Sequence, residues 1–215
     1  VATTKLALWN GALVELGIER LSDTGDPVKP ARELTAVYSQ VVGECVASGS
    51  WNFAMADASI TGDTGIITAP IGYRYGFTKP TDWVRTIAVS LDEFFSAPLL
   101  QYYDDAGIWK ADSTPLYVRY VSNDTGVALN PTQWTAHFAR FVSLELADRV
   151  CMILTQNATL KEKIEALRDK ARKTAKNIDS MDEAQPKFPP PNSWTAARWG
   201  RLGRGDRGSR GSLTG

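Results

Sequence analysis

Few residues in this chain have types and spacing that could carry chemistry, and each depends on the element that must hold it. His137 is the single histidine in 215 residues, so a Ser-His-Asp triad would have to use it. No serine-centred elbow motif lies nearby, and catalysis needs a base that is positioned by a partner; His137 reads as a structural histidine on a helix. The carboxylate pairs Asp92-Glu93 and Asp104-Asp105 have the charge to bind a divalent cation or to act as acid and base. Neighbours in a strand point to opposite faces, however, and both pairs read as loop or turn residues. Gly62-Asp63-Thr64-Gly65 lacks both the terminal Lys-Ser/Thr and the strand-to-helix setting that a phosphate loop requires. Cys45 and Cys151, the two cysteines of the chain, lack metal-type spacing and sit inside apolar helical patterns, which makes them buried small hydrophobes in a reducing compartment. The expectation is a chain that is not an enzyme and holds no metal or organic cofactor.

The C-terminal segment is the more serious case. After Phe188 and the prolines at 189–191 come Trp194, Arg198, Trp199, Arg201, Arg204, Arg207 and Arg210, with Asp206 as the one acidic residue among them. Arg/Gly-rich chain with aromatic platforms can bind single-stranded nucleic acid by phosphate neutralisation and stacking. The competing reading is an arm that docks on another protein, because Trp and Arg are the residue types that anchor interfaces. Three prolines stiffen the exit, while the glycines let the remaining backbone conform to a groove. Ordering roughly two dozen residues at about 1 kcal/mol or more each demands extensive contact. The tripeptide Arg204-Gly205-Asp206 arises by chance in such composition and carries no weight.

The elements behind these residues follow from composition and periodicity. A hydrophobic content of 43% with 10% aromatics excludes global disorder, and 24 basic against 24 acidic residues leave no net field to draw the molecule toward nucleic acid or an anionic membrane. No apolar run approaches the roughly 20 residues of a membrane span, and no charged-then-apolar leader opens the chain. A soluble protein made in the cytoplasm is expected.

The densest apolar stretch, Asn130 to Leu154, predicts a central buried helix with Asn130 as N-cap, Pro131 at the first helical position and Gln133 closing a capping box. Its apolar residues, from Phe138 through Ile153 and Leu154, cover most of the circumference, so other elements must cover it on several sides. Lys5 to Leu16 predicts a first amphipathic helix with Gly17 and Ile18 as a left-handed C-cap. A second helix carries Leu34, Val37, Tyr38, Val41 and Cys45, with Pro27 and Pro30 in its first turn. Ala158 to Ile178 predicts a last helix with a narrow stripe of Leu160, Ile164, Leu167, Ala171 and Ile178, its like-charged Glu165 and Asp169 offset by Arg168, Arg172 and Lys173.

Between these helices the texture changes to short aromatic and β-branched runs broken by Gly, Pro and Asp, the pattern of strands and turns. Tyr73 to Phe77, Trp83 to Ser90 and Pro115 to Ser122 are strand candidates, with Leu116, Val118 and Tyr120 on one face. Gln101 to Asp112 predicts a hairpin with Gly107 supplying a positive φ. The fold class is therefore α+β. A four-helix bundle of residues 1–50 and 130–180 carries an inserted antiparallel β domain at 51–129, and an extended Pro/Gly/Arg-rich arm occupies 181–215. Such an insertion is cheap if its ends lie close together.

Five stretches carry a resemblance: KLALWNGALVELGIERL, GSWNFAMA, YRYGFTKPTDWVRTIAV, PLYVRYVSN and FARFVSLELADRVCMILTQN. Together, in this order over about residues 1–178, they resemble the head-to-tail adaptor family of tailed bacteriophages, of the tail tubular protein A type. Each motif is short; the collinear set carries the likeness. It implies a non-enzymatic structural protein of the virion, at the portal vertex between capsid and tail. There it forms a homo-oligomeric ring, typically of twelve copies. The helical domain faces the portal protein, the β domain faces the downstream tail or nozzle protein, and genomic DNA passes through the lumen without sequence-specific binding. No membrane is involved. The arm beyond Met181 matches no pattern of the family, and its assignment as a portal-docking arm through Phe188, Trp194, Trp199 and the five arginines is an inference from its composition. The alternative is a cytoplasmic nucleic-acid-binding protein that uses its Arg/Gly-rich tail.

Overall fold

The computed structural model describes residues 3–65, 72–96 and 98–182; the arm residues Phe188 to Arg210 lie outside them. Residues up to Asp182 form one compact unit of mixed helix and sheet. Four α-helices are α1 (Lys5–Glu15), α2 (Lys29–Ala47), α3 (Ala136–Thr155) and α4 (Ala158–Asp182). Between α2 and α3 lie the strands β1 (Met55–Ile60), β2 (Tyr75–Thr78), β3 (Trp83–Ser90), β4 (Tyr103–Asp104), β5 (Ile108–Ala111) and β6 (Leu116–Ser122). They form two antiparallel three-stranded sheets, ordered β1-β6-β3 and β2-β5-β4. The α+β class is as the sequence predicts, and β3 spans the predicted Trp83 to Ser90.

Each of α1, α2 and α4 packs on α3, so the densest apolar stretch does become the central helix. It begins later than its proline suggests. Asn130 caps a short 3-10 turn, Pro131–Gln133, by accepting from the Thr132 N–H at 3.1 Å. Thr135 is the N-cap of α3, accepting from the Phe138 N–H at 3.3 Å, and Gln133 closes no capping box there. The break has a physical reason: Trp134, extended at ψ 145°, turns its ring onto Phe138 and donates Nε1–H to the Ala128 carbonyl at 2.9 Å. At the other end Met152 and Ile153 stand 43% and 44% exposed, so α3 is covered on three sides near its middle but not at its C-terminus.

The first helix ends as its sequence predicts. Gly17 takes φ +71°, the Ile18 N–H reaches the Leu13 carbonyl at 2.9 Å and the Gly17 N–H reaches Val14 at 3.1 Å, a Schellman cap. In α2, Pro30 sits in the first turn, whereas Pro27 precedes the N-cap residue Val28. The stripe of α4 is also rotated from its expected centre: Ile164, Ala175 and Asp179 are buried, and Leu167 is 40% exposed. Arg168 pairs with α3 rather than with Glu165. It reaches Asp148 at 2.5 Å and Glu145 at 3.7 Å, because a guanidinium facing the almost buried Asp148 compensates a charge that would otherwise be stranded.

Two cores result. The larger gathers the helices around Trp9, Leu13, Leu34, Cys45, Phe138, Leu146 and Val150. The smaller lies between the two sheets and contains Phe77, Val89, Trp109, Ala111, Leu116 and Val118. Strand β6 serves both: Leu116 and Val118 face the smaller core, while Val121, of opposite parity, joins the larger one with Ala54 and Ala128. Gly62 is required by packing rather than by a turn, since a Cβ there would lie 2.8 Å from the Tyr75 Cβ. The hairpin β4-β5 forms, but Gly107 does not take a positive φ. The Ala106 N–H bonds the Asp105 carboxylate at 2.8 Å and the Gly107 carbonyl accepts from the Lys79 N–H at 3.1 Å, so neighbouring groups fix the turn.

Candidate functional site

The ends of the β segment are brought together by aromatic side chains. Trp51, just after α2, lies 4.7 Å from the Phe138 ring, and Trp134, just before α3, lies 5.1 Å from the same ring. Phe53 and Phe141 complete the cluster at 4.8 and 6.1 Å from Phe138. Polar contacts reinforce it. Trp51 Nε1–H donates to the Cys45 carbonyl at 2.9 Å, the Asn52 N–H donates to the Asp179 carboxylate at 3.2 Å, and Lys176 Nζ donates to the Ser48 carbonyl at 2.7 Å. The last turns of α4 are thus tied to the start of the β segment.

Between the sheets lies a caged lysine that sequence reasoning does not find. The Lys79 side chain is 5% exposed, with Nζ 3.4 Å from the centroid of Trp83 and 5.4 Å from that of Trp109. It bonds the Asp104 carboxylate and, at 2.6 Å, the Asp105 carbonyl. Thr86 Oγ1 accepts from Trp83 Nε1 at 3.1 Å and Trp109 Nε1 at 2.9 Å and donates to Asp104 at 2.7 Å. Asp104 is therefore a counter-ion inside a satisfied network rather than a plain turn residue. Asp105 is held below the usual carboxylate range by the Ala106 N–H and by Lys110 at 3.0 Å. The lysine has no room to approach a substrate and its donors are occupied, so the arrangement ties the sheets together. The two tryptophans, 26 positions apart, meet only in the fold.

The remaining candidates for chemistry are dispersed. His137 is exposed on α3 rather than structural within a core. With Arg140, Leu167, Lys170, Ala171 and Thr174 it lines a groove of about 310 Å³ between α3 and α4. Arg140 and Lys170 form no ion pair among the described residues. A second groove, of about 260 Å³, is lined by Phe53, Asp82, Ser122 and Asp124 with their neighbours. There the Asp82 carboxylate accepts from Ser122 Oγ at 2.5 Å and from the Tyr120 hydroxyl at 3.2 Å; burial and the Asp82 charge push the Tyr120 phenol up to about 12. Ser122 and Tyr120 thus share one carboxylate, which ties β6 to the turn before β3.

Asp92 folds the loop after β3, bonding the Ser96 N–H at 3.1 Å, and Glu93 projects outward. Both cysteines are buried and free, as predicted, and burial pushes the Cys45 thiol far up from its ordinary value. Among the described residues no group of three or more His, Cys, Asp or Glu side chains is placed to hold a metal ion, and no helix is long and apolar enough to cross a membrane.

No known family model matches the chain, and no curated protein matches it.

Proposed function

We propose that this chain is a structural virion protein, the head-to-tail adaptor ring that joins the portal protein to the tail and surrounds the path of the genome. In this reading the four helices form the portal-facing bundle and the two sheets form the inserted domain that faces the downstream tail protein. The observation that carries it is the aromatic clasp at Phe138, where Trp51 and Trp134 close the two ends of the β segment onto one ring. This is the geometry that a helical domain interrupted by an insertion requires, in the order in which the adaptor-like stretches occur. The role is positional, and the interior networks described above hold the elements in place rather than presenting a reacting group.

The arm is assigned to portal docking on charge and residue type. Beyond Asp182 the chain carries six basic residues against two acidic ones, while residues 1–182 carry eighteen against twenty-two. A basic, Trp-bearing extension on a mildly acidic body suits an acidic groove on a partner. Imaging of capsid vertices with the protein labelled tests the function: density on the portal-to-tail axis is expected, and density elsewhere overturns the reading. Deleting residues 188–215 should leave a folded subunit that no longer attaches to portals. Normal attachment of the truncated chain, or a preference of the intact chain for single-stranded DNA over portal protein at physiological salt, would remove the arm's assigned role.

A further inference from the structure

The loop after β3 presents an apolar knob that its own fold does not use. Phe94 is 82% exposed and Leu100 is 88% exposed, and Glu93 beside Phe94 is exposed as well. The tip is nevertheless held in shape. Asp92 bonds Ser96, the Phe95 N–H reaches the Asp92 carbonyl at 3.3 Å, and the Arg119 guanidinium lies 4.8 Å from the Phe95 ring. Phe95 itself sits at φ +53°, a left-handed conformation that a bulky side chain adopts only when its surroundings impose it. Held strain beneath an exposed aromatic residue points to a surface shaped for contact.

The groove between α3 and α4 has the opposite character. Leu167 and Ala171 give it an apolar floor, and His137, Arg140, Lys170 and Thr174 rim it. The charge balance of the surrounding segments follows the same division: residues 51–129 carry nine acidic and five basic residues, whereas residues 130–182 carry nine basic and seven acidic. An apolar knob flanked by a carboxylate thus matches an apolar floor flanked by cations.

We infer that two copies of this chain associate head to tail, with Phe94 of one copy seated on Leu167 and Ala171 of the next and Glu93 meeting Lys170 or Arg140. The two patches are distinct and lie on one chain, so the contact is heterologous and repeats from copy to copy, closing into a ring if the rotation allows. The inference rests on the ring reading for its biological setting, but its test does not. A preformed knob loses little freedom on docking, and a central aromatic is the residue type that dominates such contacts.

The test uses the full chain in solution. Sedimentation equilibrium over a concentration series is expected to show self-association that Phe94→Ser weakens by about tenfold or more, as does Lys170→Glu. Carbodiimide coupling in a mixture of isotopically light and heavy copies should join Glu93 of one copy to Lys170 of another. The charge exchange Glu93→Lys with Lys170→Glu in one chain should regain association that each single change weakens. Phe94 and Lys170 are exposed, so these variants leave the interior intact.

A chain that stays monomeric at every concentration overturns this contact and leaves the vertex ring to the imaging experiment. Association that ignores both single variants overturns the contact while supporting a ring built elsewhere. If Lys170→Glu instead abolishes retention of a double-stranded DNA fragment and leaves association unchanged, the groove takes phosphates and the inference is wrong.

Discussion

Around Phe138 the chain buries rings against rings and aliphatic side chains, whereas between the two sheets it buries a lysine among tryptophans. The helical core draws on three helices packed against a fourth, and it closes largely by apolar burial. Among the described residues the sheet core gathers six buried apolar residues, far fewer than the helical core. With this smaller apolar cluster, the second region also relies on the contacts that Lys79, Asp104 and Thr86 make with one another and with Trp83 and Trp109. Burial is non-directional and tolerates local adjustment, while a buried cation such as Lys79 is accommodated only as long as its acceptors stay in place. The two regions therefore differ in how a single substitution spreads.

Phe138→Ala is the most severe test of that difference. Its ring touches Trp51, Phe53, Trp134 and Phe141, so removal should cost about 3–5 kcal/mol. Denaturant unfolding followed by tryptophan fluorescence should show a lower midpoint for helices and sheets together, since both ends of the β segment lose their anchor. A lower midpoint confined to the sheets would break the comparison.

Lys79→Met should act more locally. It removes the cation from the Trp83 face and leaves the Asp105 carbonyl without its ammonium donor, while the more exposed Asp104 keeps its bond from Thr86, at a cost of about 1–2 kcal/mol. Native-state hydrogen exchange should show lost protection in β2, β3 and β5 with α3 unchanged.

An ion network also exists in the helical region, which sharpens the contrast. Glu44 on α2, Glu145, Asp148 and Arg149 on α3, and Arg168 on α4 are linked by pairs at 2.5–3.7 Å and by a still closer Arg149–Glu44 contact. One Asp148 oxygen is buried and, among the described residues, has no hydrogen-bond partner. Arg168→Met should cost about 1–3 kcal/mol by stranding that carboxylate. The double change with Asp148→Leu should recover most of it, because an apolar pair suits the surrounding core. A thermal-unfolding double-mutant cycle with no coupling would show that the network is incidental.

The smallest effect is expected in alkali. Burial pushes the Tyr38 phenol up to about 12, and burial with the Asp82 charge pushes Tyr120 to about 12, from an ordinary 10.0. A raised folded-state value means that both groups stabilise the fold fully below about pH 10 and lose that contribution as pH rises toward 12. The two tyrosines lie in different regions, so Tyr38→Phe and Tyr120→Phe should each flatten part of the decline in melting temperature between those values. An unchanged decline in both variants would mean that other groups govern alkaline unfolding.

The sequence by itself determined the α+β class, the central position of the Phe138 helix, the Gly17 cap and the span of β3, because local periodicity and capping chemistry encode each of these within a few residues. It also placed both cysteines inside. It misplaced the start of α3, since Asn130-Pro131 is a good helix opening in isolation and only the burial of Trp134 against Phe138 forces the break. The positive φ expected at Gly107 failed for a similar reason: the turn is fixed partly from outside, by the Lys79 N–H bonding the Gly107 carbonyl. Asp148 could have been noticed as a charge within an apolar stretch, but its partner Arg168 lies on another helix. Tertiary structure alone decided the Lys79 cage, the wall that β6 makes between two cores, and the joining of Trp51 to Trp134, because each depends on residues far apart in the chain meeting at distances that no local pattern records.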